Sequence, residues 1–230
     1  MIMTMIAANL HQVRSRIVTA CVAADRDPAG VQLLAVSKTF PADAVREALA
    51  AGQTAFGENY VQEGVAKIEA LADVRMQLVW HCIGPLQSNK TRVVAEHFDW
   101  VHSIDRVKIA ERLSQQRPNA LPPLQVCLQV NVDGGANKSG VSAHEALALA
   151  QAVASLPRLR LRGLMAIPEP AADFDAQRAL FLRAAAVFEE IRAAGIPLDT
   201  LSLGMSADLE AAVAAGSTLV RVGTAIFGQR

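Results

Sequence analysis

Apolar residues along this chain fall into two alternating kinds of run. The first kind is short, rich in Val, Leu and Ile, and nearly continuous. It recurs at residues 33–37, 54–57, 78–83, 100–103, 124–130, 161–167, 200–203 and 219–222. Runs of that length, bounded by turn residues, predict buried β-strands. The second kind is longer and spaced for one face of a helix, at 42–51, 61–71, 88–97, 107–114, 143–155, 175–194 and 208–215. Ala51-Gly52, Ala194-Gly195 and Ala215-Gly216 read as glycine stops at helix C-termini. Ahead of the first strand, Ile6, Leu10, Val13 and Ile17 make a helical stripe within residues 2–24, and Asp27-Pro28-Ala29-Gly30 predicts a turn.

Strands that alternate with helices pair in parallel through right-handed crossovers. Eight such units in 230 residues fit a closed (β/α)8 TIM barrel. The rival is an open doubly wound sheet. No G-x-G-x-x-G follows the first strand, so a dinucleotide fold gains little support. Neither a composition break nor a long polar linker divides the chain. The expectation is one α/β barrel domain over residues 1–230, with the N-terminal helix as an addition.

Composition narrows the function classes. Lys plus Arg number 22, as do Asp plus Glu, so the net charge is near zero. With no basic stripe interleaved with aromatics, nucleic acid is not expected as the main partner. The apolar start, Met1 to Ile6, is short and lacks a basic leader, so it does not read as a signal peptide. No run approaches membrane-spanning length. Cys21, Cys82 and Cys127 are far apart, and the last two sit in apolar runs as reduced core residues would. A cytoplasmic monomer is the expectation.

Chemistry in a barrel collects where strands end. Lys38 follows the run 31–37 and precedes Thr39-Phe40-Pro41. An amine against apolar walls is disfavoured in its charged form, and a neutral amine attacks carbonyls to form a Schiff base. The bland alternative is a surface lysine after a strand. At the other end, Leu201-Ser202-Leu203-Gly204-Met205-Ser206 and Val220-Arg221-Val222-Gly223-Thr224 are strands that break at a glycine beside a hydroxyl. Glycine lets backbone N–H groups approach an anion, and the last two strands of a barrel are where phosphate commonly binds. Lysine and phosphate site together point to a phosphorylated carbonyl compound. Asn59 suits a ring hydroxyl or a phosphate, or else a plain Asx turn. His81 reads as a hydrogen-bonded core histidine. Gln87, Asn89 and Lys90 offer donors at a helix start, or a solvated first turn. Arg221 lies between Val220 and Val222, so it points either to solvent or into the barrel, and inside it needs acceptors. No H-E-x-x-H, C-x-x-C or G-x-S-x-G motif is present.

Five ordered motifs carry a resemblance that spans nearly the whole chain. They are Leu34-Ala35-Val36-Ser37-Lys38-Thr39, the stretch Phe56-Gly57-Glu58-Asn59-Tyr60-Val61-Gln62-Glu63, residues 80–90, Gly204-Met205-Ser206-Ala207-Asp208, and residues 221–228. The sequence resembles the YggS/PROSC family of pyridoxal 5′-phosphate (PLP) homeostasis proteins. That resemblance implies a PLP-binding barrel like the N-terminal domain of alanine racemase. It implies Lys38 as the aldimine lysine, with Ser206, Gly223 and Thr224 on the phosphate and Arg221 at the pyridine nitrogen. Asn59 and Met165 would line the pocket. The stretch 130–140 keeps Lys138, Ser139 and Gly140 but has Gly135 where family members often carry an acid, so no acid role is expected at that loop.

Two function classes follow: a non-catalytic PLP carrier that serves apoenzymes, and a PLP-dependent amino-acid racemase or decarboxylase of the same fold type. The racemases resembled carry a second, β-rich domain with a catalytic tyrosine. This sequence ends at Arg230, its only tyrosine is Tyr60, and Met165 and Ile167 stand where the racemases place a tyrosine and a histidine. A two-base racemase needs acid–base groups on both faces of the substrate carbon. The carrier is therefore the expected function. A Schiff-base aldolase of a sugar phosphate is a third reading, and it would lack cofactor colour.

Overall fold

The computed structural model describes residues 4–134 and 139–229. Gly135, on which the reading of an absent mouth-loop acid rests, lies outside the described residues, as does Lys138. Among the described residues nine strands form, all parallel: β1 (Gln32–Val36), β2 (Ala55–Glu58), β3 (Val79–Cys82), β4 (Trp100–Ile104), β5 (Leu124–Asn131), β6 (Val141–Ser142), β7 (Leu159–Met165), β8 (Thr200–Ser202) and β9 (Leu219–Val222). The order is β4-β3-β2-β1-β9-β8-β7-β5, and pairing of β4 with β5 closes the ring. The closed ring therefore has the eight predicted strands. The two-residue β6 is an unforeseen graft on the end of β5.

Period two explains the layering. Leu33 and Ala35 of β1 point outward into the large core shared with the helices. Leu34, between them, joins a small interior cluster with Ala55, Leu219 and Ile83. Strands buried on both faces are what the continuous apolar runs encode. Gly163 of β7 is required by close approach: a Cβ there would lie 1.6 Å from the carbonyl oxygen of Thr200 on β8.

The ring of helices is α2 (Ala42–Ala50), α3 (Val61–Ala70), α4 (Thr91–His97), α5 (Val107–Gln116), α6 (Ala146–Ala154), α7 (Phe174–Ala193), α8 (Leu209–Ala214) and a short α9 (Thr224–Phe227). The added helix α1 (Met5–Ala23) starts where the Thr4 hydroxyl accepts the Ala7 N–H at 3.3 Å. It buries Leu10, Val13, Ile17, Ala20 and Cys21 and packs on α2, α8 and α9. The predicted helix 88–97 opens as a 3-10 turn, Ser88–Lys90. The Ser88 carbonyl is taken by the Thr91 hydroxyl at 2.9 Å and by Arg112 at 3.0 Å, which draws it off the α ladder.

All three cysteines are buried and unpaired, and burial pushes the Cys82 and Cys127 thiols up to about 12. Among the described residues no helix is long and apolar enough to cross a membrane. Nor do three or more His, Cys, Asp or Glu side chains gather as a metal site among them.

Candidate functional site

The strand ends open onto a cavity of about 620 Å³. Lys38, Asn59, Ser206, Arg221, Gly223 and Thr224 all line it, with Val36, Phe40, Ile83, Ile167 and Met205 as apolar wall. Residues at both ends of the sequence meet here because β1 pairs with β9, with Leu34 beside Arg221 and Ala35 beside Val222.

Lys38 leaves β1 on the face that carries Leu34 and Val36. A buried ionic cluster holds it there. The Lys67 amine of α3 donates to the Ser37 carbonyl at 2.6 Å, to Glu58 Oε1 at 2.7 Å and to Glu63 Oε1 at 2.7 Å. The Ser37 hydroxyl also donates to Glu58 Oε1, at 2.6 Å. Glu63 additionally accepts the Thr39 N–H. That bond steadies Thr39 at φ 66°, a left-handed conformation that a β-branched residue adopts at a cost of about 1–3 kcal/mol. Lys38 is thus bracketed by two residues tied to one cluster. Burial raises the Glu58 carboxyl above the usual range, while Lys67 and Ser37 pull it back down. Its Oε2 has no partner.

Two loops form the opposite wall. Gly204 turns at φ 86°, and a Cβ there would meet the Ala212 methyl at 2.4 Å. The Met205 N–H donates to Asp208 Oδ1 at 2.5 Å, and the Ser206 carbonyl accepts from Arg16 of α1 at 3.1 Å. Arg16 also pairs with Glu210. On the neighbouring loop Gly223 lies against β1, where a Cβ would sit 3.0 Å from the Val36 carbonyl oxygen. Asn9 of α1 reaches the Ile226 carbonyl behind that loop, at 2.8 Å.

Arg221 points into the barrel, 4 % exposed, and finds the acceptors that such a placement demands. Its Nη1 donates to the Ser202 carbonyl at 2.6 Å and to Ser202 Oγ at 2.7 Å. Its Nη2 donates to the Ala166 carbonyl at 3.1 Å. Burial lowers it to about 10, so it stays charged at neutral pH. His81 is a buried, hydrogen-bonded core histidine: its Nδ1 lies 2.9 Å from Nε2 of His102. Asn59 stands on a backbone pressed against Gly84, where a Cβ would come within 2.1 Å of the Asn59 carbonyl oxygen. The Asn59 Oδ1 is buried without a partner.

The remaining sequence candidates lie elsewhere. Met165 is fully buried at the end of β7 beside Ser202, and Ile167 takes the place on the cavity wall. Asn89 and Lys90 line a separate groove between α3 and α4. Phe40 and Met205 were not singled out by sequence. Phe40 stacks on Phe227, rings 5.2 Å apart, and so ties the Lys38 loop to α9. The signal for Met205 was its place between Gly204 and Ser206, on a strand-end loop.

A family model described as "Alanine racemase, N-terminal domain" matches residues 6–230. The chain is 60% identical over 228 residues to the pyridoxal phosphate homeostasis protein of Pseudomonas aeruginosa, covering 99% of this chain and 97% of the relative. It is 56% identical over 226 residues to the protein of that name from Escherichia coli K12, covering 98% and 97%. Among solved structures, PipY of Synechococcus elongatus with PLP bound superposes at TM-score 0.84, with 40% identity over 97% of this chain and 100% of that one. Alanine racemase of Corynebacterium glutamicum, 17% identical, shares the fold alone, at TM-score 0.69 over 98% of this chain and 61% of that one. Barrel closure, the cavity and this identity over nearly the full length agree: the chain belongs to the pyridoxal phosphate homeostasis proteins, within the alanine racemase N-terminal domain family.

Proposed function

We propose that this chain binds PLP covalently through Lys38 and serves intracellular PLP homeostasis and delivery rather than amino-acid turnover. One observation carries the reading: a strand-end lysine, a buried arginine and two glycine–hydroxyl loops face a single cavity. The residues fit the cofactor. The orphaned Oδ1 of Asn59 awaits a donor, and Gly223, lying against β1, carries no side chain into the loop that faces the cavity.

PLP supplies an aldehyde for an amine to capture and an electron-withdrawing ring. Lys38 would hold that aldehyde carbon through its amine nitrogen, the carbonyl oxygen leaving as water. Ser206, the Thr224 hydroxyl and the Gly223-Thr224 backbone would hold the phosphate. Arg221 would face the pyridine nitrogen and Asn59 would line the pocket, while Met165 is buried at the end of β7. A fixed cation at the nitrogen disfavours ring protonation and blunts electron withdrawal. Within the cavity wall, Lys38 and Arg221 are the only ionisable side chains among the described residues, so those residues offer no second acid–base partner for the substrate carbon. Tyr60, 57 % exposed, does not line the cavity. The relatives' shared name, a homeostasis protein rather than an enzyme, supports the carrier. PLP-dependent apoenzymes are the expected recipients, and a cytoplasmic monomer the expected form.

The test is chemical. The purified protein incubated with PLP should turn yellow, and borohydride should leave a phosphopyridoxyl group on the peptide containing Lys38. Lys38→Ala should lose colour and label. A label on another lysine, or rapid turnover of a common amino acid that depends on Lys38, would overturn the reading.

A further inference from the structure

Four strands contribute to a polar chain that crosses the barrel interior beneath the cavity. It runs from Arg221 (β9) to Ser202 (β8), then to His102 (β4) and His81 (β3). Arg221 Nη1 lies 2.7 Å from Ser202 Oγ, Ser202 Oγ 3.1 Å from His102 Nδ1, and His102 Nε2 2.9 Å from His81 Nδ1. All four side chains are buried. The His81 ring lies flat on Trp100, centroids 5.1 Å apart and planes 11° apart, and its Nε2 has no partner.

Donor and acceptor counting fixes the direction of this chain. Burial keeps both imidazoles neutral, His81 at about 3 and His102 also well below the usual value, so each ring carries one N–H. Arginine only donates, so Ser202 Oγ accepts from it. If the Ser202 proton goes to His102 Nδ1, then His102 Nε2–H donates to His81 Nδ1. One group is left over, the His81 Nε2–H. If instead His102 Nδ1–H donates to Ser202, two groups are left over: the serine proton, for which these contacts leave no acceptor, and the bare His81 Nε2. Buried polar groups left unpaired are costly, so the first direction holds.

We infer that Ser202 and His102 are positioning residues for the Arg221 guanidinium. His102 draws the serine proton away, so Ser202 Oγ always presents a lone pair to Arg221. With the Ser202 and Ala166 carbonyls, this makes three acceptors that set the plane of the guanidinium. The two carbonyls are backbone, which leaves the hydroxyl and the imidazole behind it as the side chains that tune the aim. The inference rests on the reading above, in which Arg221 faces the ring nitrogen of PLP.

Two measurements test it. In wild-type protein with 15N-labelled histidine, His102 and His81 should both carry their proton on Nε2. A proton on His102 Nδ1 overturns the direction, and this arm needs neither a variant nor PLP. In the second, protein is loaded with PLP labelled with 15N at the ring. Ser202→Ala should keep colour and the Lys38 label but move the ring-nitrogen resonance toward that of Arg221→Met. Ser202→Thr, which keeps a hydroxyl, should restore it. An unmoved resonance in Ser202→Ala overturns the positioning role alone. A wild-type protein that takes up no label on Lys38 overturns the functional reading instead.

Discussion

Lys67→Met isolates what holds Lys38 in place. Methionine keeps the stem and removes the amine. Glu58 Oε1 then retains only the Ser37 hydroxyl, its Oε2 already has no partner, and the Ser37 carbonyl keeps only the Phe40 N–H. The Lys67 and Glu58 side chains are 7% and 0% exposed, so water does not repair the loss. Breaking such a buried pair from one side costs about 3–5 kcal/mol. That is a large share of the roughly 5–15 kcal/mol that keeps a domain folded. For a chain of this size it lowers Tm by on the order of 10 °C. The pH dependence has a definite sign. Glu58 is already held above the usual range, and without Lys67 its carboxyl rises further. An acid raised in the folded state favours folding fully below its unfolded pKa, and that contribution is lost as pH rises through the folded value. The defect must therefore shrink toward acid pH and grow as pH rises through the raised value. Urea unfolding at pH 5 and pH 8 reads this directly. Adding Glu58→Gln should recover part of the loss at pH 8, because no uncompensated charge remains. A cost below about 1 kcal/mol, or one equal at both pH values, would refute the account of this cluster as a buried ion pair.

Ser206→Ala with Thr224→Ala should weaken PLP affinity well beyond either change alone, each lost bond being worth on the order of 1.5–3 kcal/mol to a charged group. Fluorescence titration with PLP and with unphosphorylated pyridoxal separates the cases, and equal losses for both ligands would show that these residues do not hold the phosphate. Gly163→Ala should abolish soluble folded protein, since a Cβ 1.6 Å from the Thr200 carbonyl oxygen forces β7 and β8 apart. Gly30→Ala, with open space around its Cβ position, should melt like wild type and serves as the control. Native circular dichroism and melting in Gly163→Ala would contradict the strand spacing described here.

The barrel was legible because each strand is a separate local event. A buried parallel strand needs a short apolar run, and the eight runs are there to be read. Lys38 and Arg221 were legible for the same reason: each is a cation in an apolar context, and position along a strand decides where it points. Shorter pieces escaped. The graft β6 has two residues and α9 has four, too few for a period to show. The arrangement beneath the cavity escaped for another reason. His81 and His102 are 21 positions apart, and His102 and Ser202 are 100 apart, so only ring closure makes them neighbours. Lys67 is polar at a spacing that suits a solvated helix face. Nothing local announces that Glu58 and Ser37 wait beneath it. Met165 and Ile167 differ by two positions at the end of β7, where the chain leaves the strand and strict alternation stops.

The helix added before the barrel has a thermodynamic consequence. Its Arg16 grips the Ser206 carbonyl and its Asn9 grips the Ile226 carbonyl, one behind each loop of the proposed phosphate wall. Docking of α1 and ordering of those loops are therefore coupled equilibria. Coupling free energy is reciprocal. Whatever affinity a bound anion gains from loops already held by α1, it returns as tighter docking of α1. Amide protons of α1 would then exchange more slowly with solvent in the ligated protein, although no atom of that helix lines the cavity.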